Sequence, residues 1–212
     1  MRQFLYIYPV TRMARRQILR TRAGFPWGSV STCILSGRPQ ADHSTVRFVM
    51  SKTLVVYFSA TGQTEELAKT IARATSGNLC AIHPAQPYTK EDLNWQDPES
   101  RSTLEMKNPE TRPALSKPTP CLDCIRDYDI IFIGCPVWWG TAPRVVLTFL
   151  ESADFSGKKM ISFATSAKTE AAGVDNAVKK ACPKANWIGE CKRLAPTASI
   201  EEVREWIASL GL

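Results

Sequence analysis

The sequence predicts a three-layer α/β/α sandwich on a five-stranded parallel sheet with strand order 2-1-3-4-5. From Met50 onward, short apolar runs alternate with amphipathic stretches, the pattern of parallel strands joined by crossover helices. The run Ile130-Ile131-Phe132-Ile133-Gly134 is apolar at almost every position, as a strand covered on both faces must be. Hydroxyls, glycines or tryptophans gather in three places, each just after an apolar run, where a parallel sheet presents its carboxyl ends. No segment repeats another.

The first strand is expected at residues 53–58, with Leu54-Val55-Val56-Tyr57-Phe58 at its centre. A helix follows over 63–74, with Leu67, Ala68 and Ile71 at helical spacing, and Ser76-Gly77-Asn78 ends it. A short strand at 79–83 comes next. The polar, proline-rich stretch 84–120 then breaks the rhythm; it is too long for a routine connection and is either a lid or an excursion with a helix of its own. After the buried strand 130–134 comes a loop, and Pro143 suits the first turn of a helix reaching about Glu151. The remaining elements are a strand at 159–164, a helix at 173–181 closed by Cys182-Pro183, an edge strand at 187–194 and a helix at 200–210. Ser199 is the expected N-cap of that last helix, with Glu202 at its third position.

The 212 residues exceed one domain of ordinary size, and the surplus lies at the front. Residues 1–49 contain eight arginines, no lysine and one acid, Asp42, a net charge of +7; residues 50–212 hold 19 basic and 19 acidic residues and are neutral. The pI near 9.1 therefore describes a basic extension, and nucleic-acid binding is not expected of the domain. Arginine-rich, acid-poor composition resembles a transit peptide, and Arg15-Arg16 invites a twin-arginine export reading, but no apolar stretch of signal length follows. The expectation is that 1–49 is disordered, or precedes a natural start at Met50, and that 50–212 is the folded domain. No apolar run approaches the roughly 20 residues a membrane span needs. Seven irregularly spaced cysteines without a convincing signal peptide point to reduced thiols and a cytoplasmic protein, a monomer or weak dimer. Cys121-Leu122-Asp123-Cys124 has redox-motif spacing but is expected in a linker, away from any helix start that would activate a thiol, and one such pair without a nearby histidine does not make a metal site.

The hexapeptide Ser59-Ala60-Thr61-Gly62-Gln63-Thr64 sits where strand gives way to helix. Three hydroxyls and a glycine let the chain turn tightly and open a helix whose positive end favours an anion, so the turn reads as a phosphate cradle. It lacks the Gly-Lys-Ser/Thr ending of nucleotide P-loops and the spaced glycines of dinucleotide folds, which leaves a small mononucleotide. The alternative is an ordinary turn with Thr61 or Thr64 as an N-cap. A second loop, Gly134-Cys135-Pro136-Val137-Trp138-Trp139-Gly140-Thr141-Ala142-Pro143, offers adjacent tryptophans that cannot both be buried and are suited to covering a flat ring. The third loop is Thr165-Ser166-Ala167-Lys168-Thr169. Strand order 2-1-3-4-5 makes all three neighbours.

Tyr57-Phe58-Ser59-Ala60-Thr61-Gly62-Gln63-Thr64 together with Gly134-Cys135-Pro136-Val137-Trp138-Trp139-Gly140 resembles the flavodoxin family over residues 52–212, and Pro87-Tyr88-Thr89 through Trp95, Ser100-Arg101 and Arg112-Pro113 resemble a branch with an insertion after the second strand. The resemblance implies non-covalent FMN. Ser59, Ala60, Thr61, Gly62, Gln63 and Thr64 would hold its phosphate, while Pro136, Val137, Trp138, Trp139, Gly140 and Thr165, Ser166, Ala167, Lys168, Thr169 would flank its ring. It also implies that Gly140 lies in the peptide that reorients beside the ring on reduction. The third loop departs from the glycines and serines usual in relatives, so Lys168 is expected either to bring a positive charge to the ring's edge or to stay in solvent. Electron transfer between redox partner proteins is the implied function. The neutral surface departs from the acidic one of typical flavodoxins, leaving an FMN-dependent NAD(P)H:quinone oxidoreductase as the alternative and a cofactor-free binding domain as a third reading.

Overall fold

A computed structural model describes residues 51–212; the expectations for the basic extension, and Cys33, lie outside the described residues. Strand β1 (Thr53–Tyr57) lies between β2 (Asn78–Ala81) and β3 (Ile130–Pro136); β4 (Lys159–Thr165) follows β3, and β5 (Asn186–Trp187) follows β4, all parallel, in the expected order. Val55 stands opposite both Leu79 and Phe132, and Phe132 opposite Ile161. The expected edge strand at 187–194 is instead two short pieces, β5 and β6 (Lys192–Arg193), each pairing separately with β4. The break between them has a local cause. Gly189 turns the chain at φ 68, and the Cys191 N–H donates to the Asp175 carboxylate at 2.9 Å rather than to a neighbouring strand. Lys179, one turn along the same helix, pairs with that carboxylate at 2.7 Å.

Helices cover both faces, so alternate residues of β1 serve different cores. On one side α1 (Gln63–Thr75) and α6 (Ile200–Ser209) bring Leu67, Ile71 and Trp206 against Val55, Phe132 and Ile161. On the other, α4 (Arg144–Glu151) and α5 (Ala172–Ala181) bring Val145, Phe149 and Val174 against Leu54, Val56, Ile131 and Met160. Ser199 caps α6 as expected, its hydroxyl accepting from the Glu202 N–H at 3.1 Å. No described helix is long and apolar enough to cross a membrane.

The stretch after β2 contains α2 (Arg101–Lys107) and runs into α3 (Pro120–Cys124), so it has helices of its own. Its two ends are fastened together: Ala85 N–H donates to Ala114 at 2.7 Å and Ser116 N–H to His83 at 2.8 Å. A Cys80–Cys121 disulfide ties β2 to α3 across 41 residues of sequence. Two expectations are thereby corrected. Cys80 and Cys121 are not reduced thiols, and the Cys-x-x-Cys segment lies in a short helix rather than a linker. Sequence spacing reveals local pairs; it carries no signal for a partner brought alongside by an edge strand. Cys124, Cys135, Cys182 and Cys191 are free. Farther out, Arg144 donates to the carbonyls of Glu105 and Met106 at 3.3 and 3.0 Å, and Arg112 grips Glu151 through two bonds of 2.7 and 2.8 Å.

Gly134 sits directly opposite Phe163 in the central strand pair, and a Cβ there would stand 2.0 Å from the phenyl ring. Gly134→Ala is expected to destabilise the protein by about 1–3 kcal/mol, the cost of overpacking a core that has no slack. Urea unfolding measures this, and adding Phe163→Leu should recover part of the loss.

Candidate functional site

The carboxyl ends of β1, β3 and β4 lie side by side, so the loops leaving them converge. In the first, α1 begins after Gly62, which sits at φ 87, and no side chain caps it. Neither Thr61 nor Thr64 is the N-cap. Thr64 is used differently: its hydroxyl lies 2.8 Å from that of Thr165 at the end of β4, and both residues are buried. The leading N–H groups of α1 therefore remain open at the helix's positive end. Glu65 and Glu66 in the first turn would oppose an anion, but both are engaged by Lys69 at 2.8 and 2.9 Å. The Ser59 hydroxyl, just before the turn, is buried without a hydrogen-bond partner.

The second loop is a tight hairpin in which Trp138 and Thr141 exchange two backbone hydrogen bonds of 2.9 Å. Its central residues, Trp139 and Gly140, have φ 47 and 77. Positive φ at both positions is the mark of a type I′ turn. For a tryptophan this backbone conformation costs about 1–3 kcal/mol, a strain found mainly where a site demands it. Its effect is to part the two indoles. Trp138 turns inward, edge to face with Phe58 and Tyr88 at 5.6 and 5.2 Å, while Trp139 remains 47% exposed. Helix α5 braces the hairpin from beneath: Thr141 donates its hydroxyl hydrogen to the Gly173 carbonyl at 3.1 Å, and the Gly140 carbonyl fills the space where a Gly173 side chain would begin.

In the third loop, Val137 N–H donates to Thr165 at 3.0 Å, joining it to the second. The Ser166 hydroxyl accepts from Thr169 N–H at 2.9 Å, a local turn, and residues 167–169 are exposed.

Together the loops enclose a cavity of about 420 Å³. Ala60, Thr61, Gln63 and Thr64 line it from the first loop, Pro136, Val137, Trp138 and Trp139 from the second, and Thr165, Ser166 and Ala167 from the third. Ser59, Gly62 and Gly140 lie outside the wall, though the two glycines shape its turns. Lys168 and Thr169 also lie outside it and are exposed. Leu93, Trp95 and Ser102 of the insertion complete the wall. None of these three is among the site residues expected from the sequence; the signal available was an aromatic and an aliphatic residue two apart in an otherwise polar stretch. Among the described residues, no charged side chain lines the cavity.

The insertion is fixed to the site through Tyr88, whose ring packs on Phe58 and Trp138 while its hydroxyl donates to Glu105. Burial first, and then the bond to Glu105, push the phenol above its ordinary range, so it remains a donor. The Arg101 guanidinium lies 4.2 Å over the Tyr88 ring and also pairs with Glu105 at 2.7 Å.

An open helix terminus, a strained tryptophan hairpin and a hydroxyl-bearing third loop at the switch point of a 2-1-3-4-5 sheet define a protein of the flavodoxin-like class. Residues 52–210 match the profile of the family described as Flavodoxin, and the chain belongs to the flavodoxin family. Among solved structures it resembles a candidate flavoprotein from Bacteroides eggerthii DSM 20697, with 40% identity and a TM-score of 0.71, covering 76% of this chain and 99% of that one. A candidate flavoprotein from Bacteroides uniformis ATCC 8492 is 42% identical with a TM-score of 0.66, over 74% and 98%. A flavoprotein in complex with FMN from Lactobacillus acidophilus NCFM shares the fold at 22% identity and a TM-score of 0.53, over 74% and 99%. No curated protein matches the sequence.

Because a Gly173 Cβ would lie 1.9 Å from the Gly140 carbonyl oxygen, Gly173→Ala must push the hairpin out of place. The expected outcome is an altered near-ultraviolet circular dichroism from the tryptophan pair with the far-ultraviolet spectrum retained, and a stability loss of about 1–3 kcal/mol.

Proposed function

We propose that this protein binds FMN non-covalently and transfers electrons between redox partner proteins. The observation that supports the reading best is the cavity itself, an uncharged slot running from the open N-terminus of α1 to the Trp138–Thr141 hairpin. One end offers N–H groups and the hydroxyl of Thr61 to a phosphate, and the orphaned Ser59 hydroxyl lies beside that end. The other end offers an indole free to cover a planar ring. FMN when bound would supply one- and two-electron redox chemistry, which the protein tunes through ring packing and hydrogen bonding. Trp139 would cover the ring and exclude water from one face, a contact contributing about 0.5–1.5 kcal/mol beyond area burial. Gly140, at φ 77, is the residue whose peptide can change orientation at least cost.

Partner docking relies on contact rather than long-range attraction, since residues 50–212 are neutral. A second reading, an FMN enzyme reduced directly by a nicotinamide nucleotide and passing electrons to a quinone-type acceptor, is favoured by one observation: Leu93 and Trp95 make the insertion part of the wall, as a substrate pocket requires.

Anaerobic addition of NADPH to the FMN-loaded protein separates the two. Slow or absent bleaching that becomes rapid with a separate flavodoxin reductase supports the carrier; rapid bleaching by NADPH alone supports the enzyme. Failure of the purified protein to take up FMN removes both. Gly140→Val is expected to shift the one-electron potentials in a spectroscopic redox titration, and unchanged potentials would take Gly140 out of the mechanism.

A further inference from the structure

Ser102 stands apart from the three loops. It lies on α2 of the insertion, is 1% exposed and lines the cavity, yet its hydroxyl has no hydrogen-bond partner. Among the described residues one other buried side-chain oxygen or nitrogen shares that condition, the hydroxyl of Ser59 beside the first loop. A buried hydroxyl normally finds a partner, and an exception calls for a reason.

Slack packing is not the reason, because the polar groups around Ser102 are engaged. Its own N–H donates to Asp92 at 3.0 Å, the Ser100 hydroxyl pairs with that of Thr103 at 2.9 Å, and Arg101 bonds Glu105 at 2.7 Å and Gln86 at 2.9 Å. Arg144 holds the far end of α2 from the main domain. The helix is held at both ends, and the residue whose hydroxyl is left over lines the cavity. The bond from Ser102 N–H to Asp92 also couples it to the turn carrying Leu93 and Trp95, so the three wall residues of the insertion form one unit.

We infer that Ser102 is a ligand-binding residue whose hydroxyl donates to an acceptor atom of the bound flavin mononucleotide, which makes the insertion a fourth wall of the cofactor site and not only a cover over it. This rests on the reading of the cavity as an FMN site. It carries an unusual signature. A residue kept for binding leaves the cofactor-free protein with a buried unpaired hydroxyl, so its removal relieves that protein while weakening the complex.

The test uses the full chain stripped of flavin, wild type and Ser102→Ala, with FMN titrated by fluorescence quenching and the thermal midpoint of the cofactor-free form measured separately. The expected result is an FMN Kd raised about three- to tenfold, the loss of one hydrogen bond, with the cofactor-free midpoint unchanged or raised by about 2–4 °C. A Kd within twofold of wild type overturns the inference, as does a weaker Kd accompanied by a lowered cofactor-free midpoint, which marks a structural role. If wild-type protein does not quench FMN, the reading of the cavity falls and the inference with it; if wild type binds and Ser102→Ala binds equally well, only the inference falls.

Discussion

The site depends on one buried contact, the hydroxyl pair between Thr64 and Thr165. Helix α1 and strand β4 are not neighbours in sequence, and β3 separates β4 from β1 in the sheet. Their contact spans that strand at its carboxyl end, which sets the distance between the first loop and the third. It also takes the Thr64 hydroxyl away from capping α1, and an N-terminus left open is what an anion needs. A single hydrogen bond thus fixes the cavity's width and frees the groups at its polar end. Both residues are buried, so parting them would leave each hydroxyl without this partner and out of reach of water, at a desolvation cost.

The insertion illustrates a different economy. A long excursion from an edge strand would ordinarily be loose, yet this one is joined at the root by backbone bonds and a disulfide, and at its far end by Arg112 and Arg144 reaching to or from α4. Tyr88 then converts anchorage into site geometry, because the ring that packs on Trp138 belongs to the same phenol that bonds Glu105 on α2. The inward tryptophan and the insertion hold each other in place.

Much of this was legible in the residue order. Strand positions followed from apolar runs, and Ser199 at the start of α6 followed from local capping chemistry, because both signals are carried by neighbours in sequence. Adjacent tryptophans in a turn must part, and they do, with Trp138 packed and Trp139 exposed. What could not be read depended on groups meeting through space. Asp175 draws the Cys191 N–H away and splits the edge strand. Cys80 claims Cys121 from the far side of the insertion. Thr64, a natural capping residue, is taken by Thr165 and leaves Gly62 as the cap. Leu93, Trp95 and Ser102 join the cavity only because α2 folds back over the sheet's carboxyl end. Local chemistry specified the elements; competition for hydrogen bonds between distant segments decided their ends and the fourth side of the site.

The uncharged wall of the cavity has a kinetic consequence. With neither a lysine nor an arginine among the described residues of that wall and no net charge on residues 50–212, the domain contributes little field of its own to draw in a negatively charged ligand. Encounter with residues 50–212 alone is left to ordinary diffusion, nearly indifferent to ionic strength. Affinity must then come from how slowly the ligand leaves, through oriented dipoles and aromatic cover that act only after arrival.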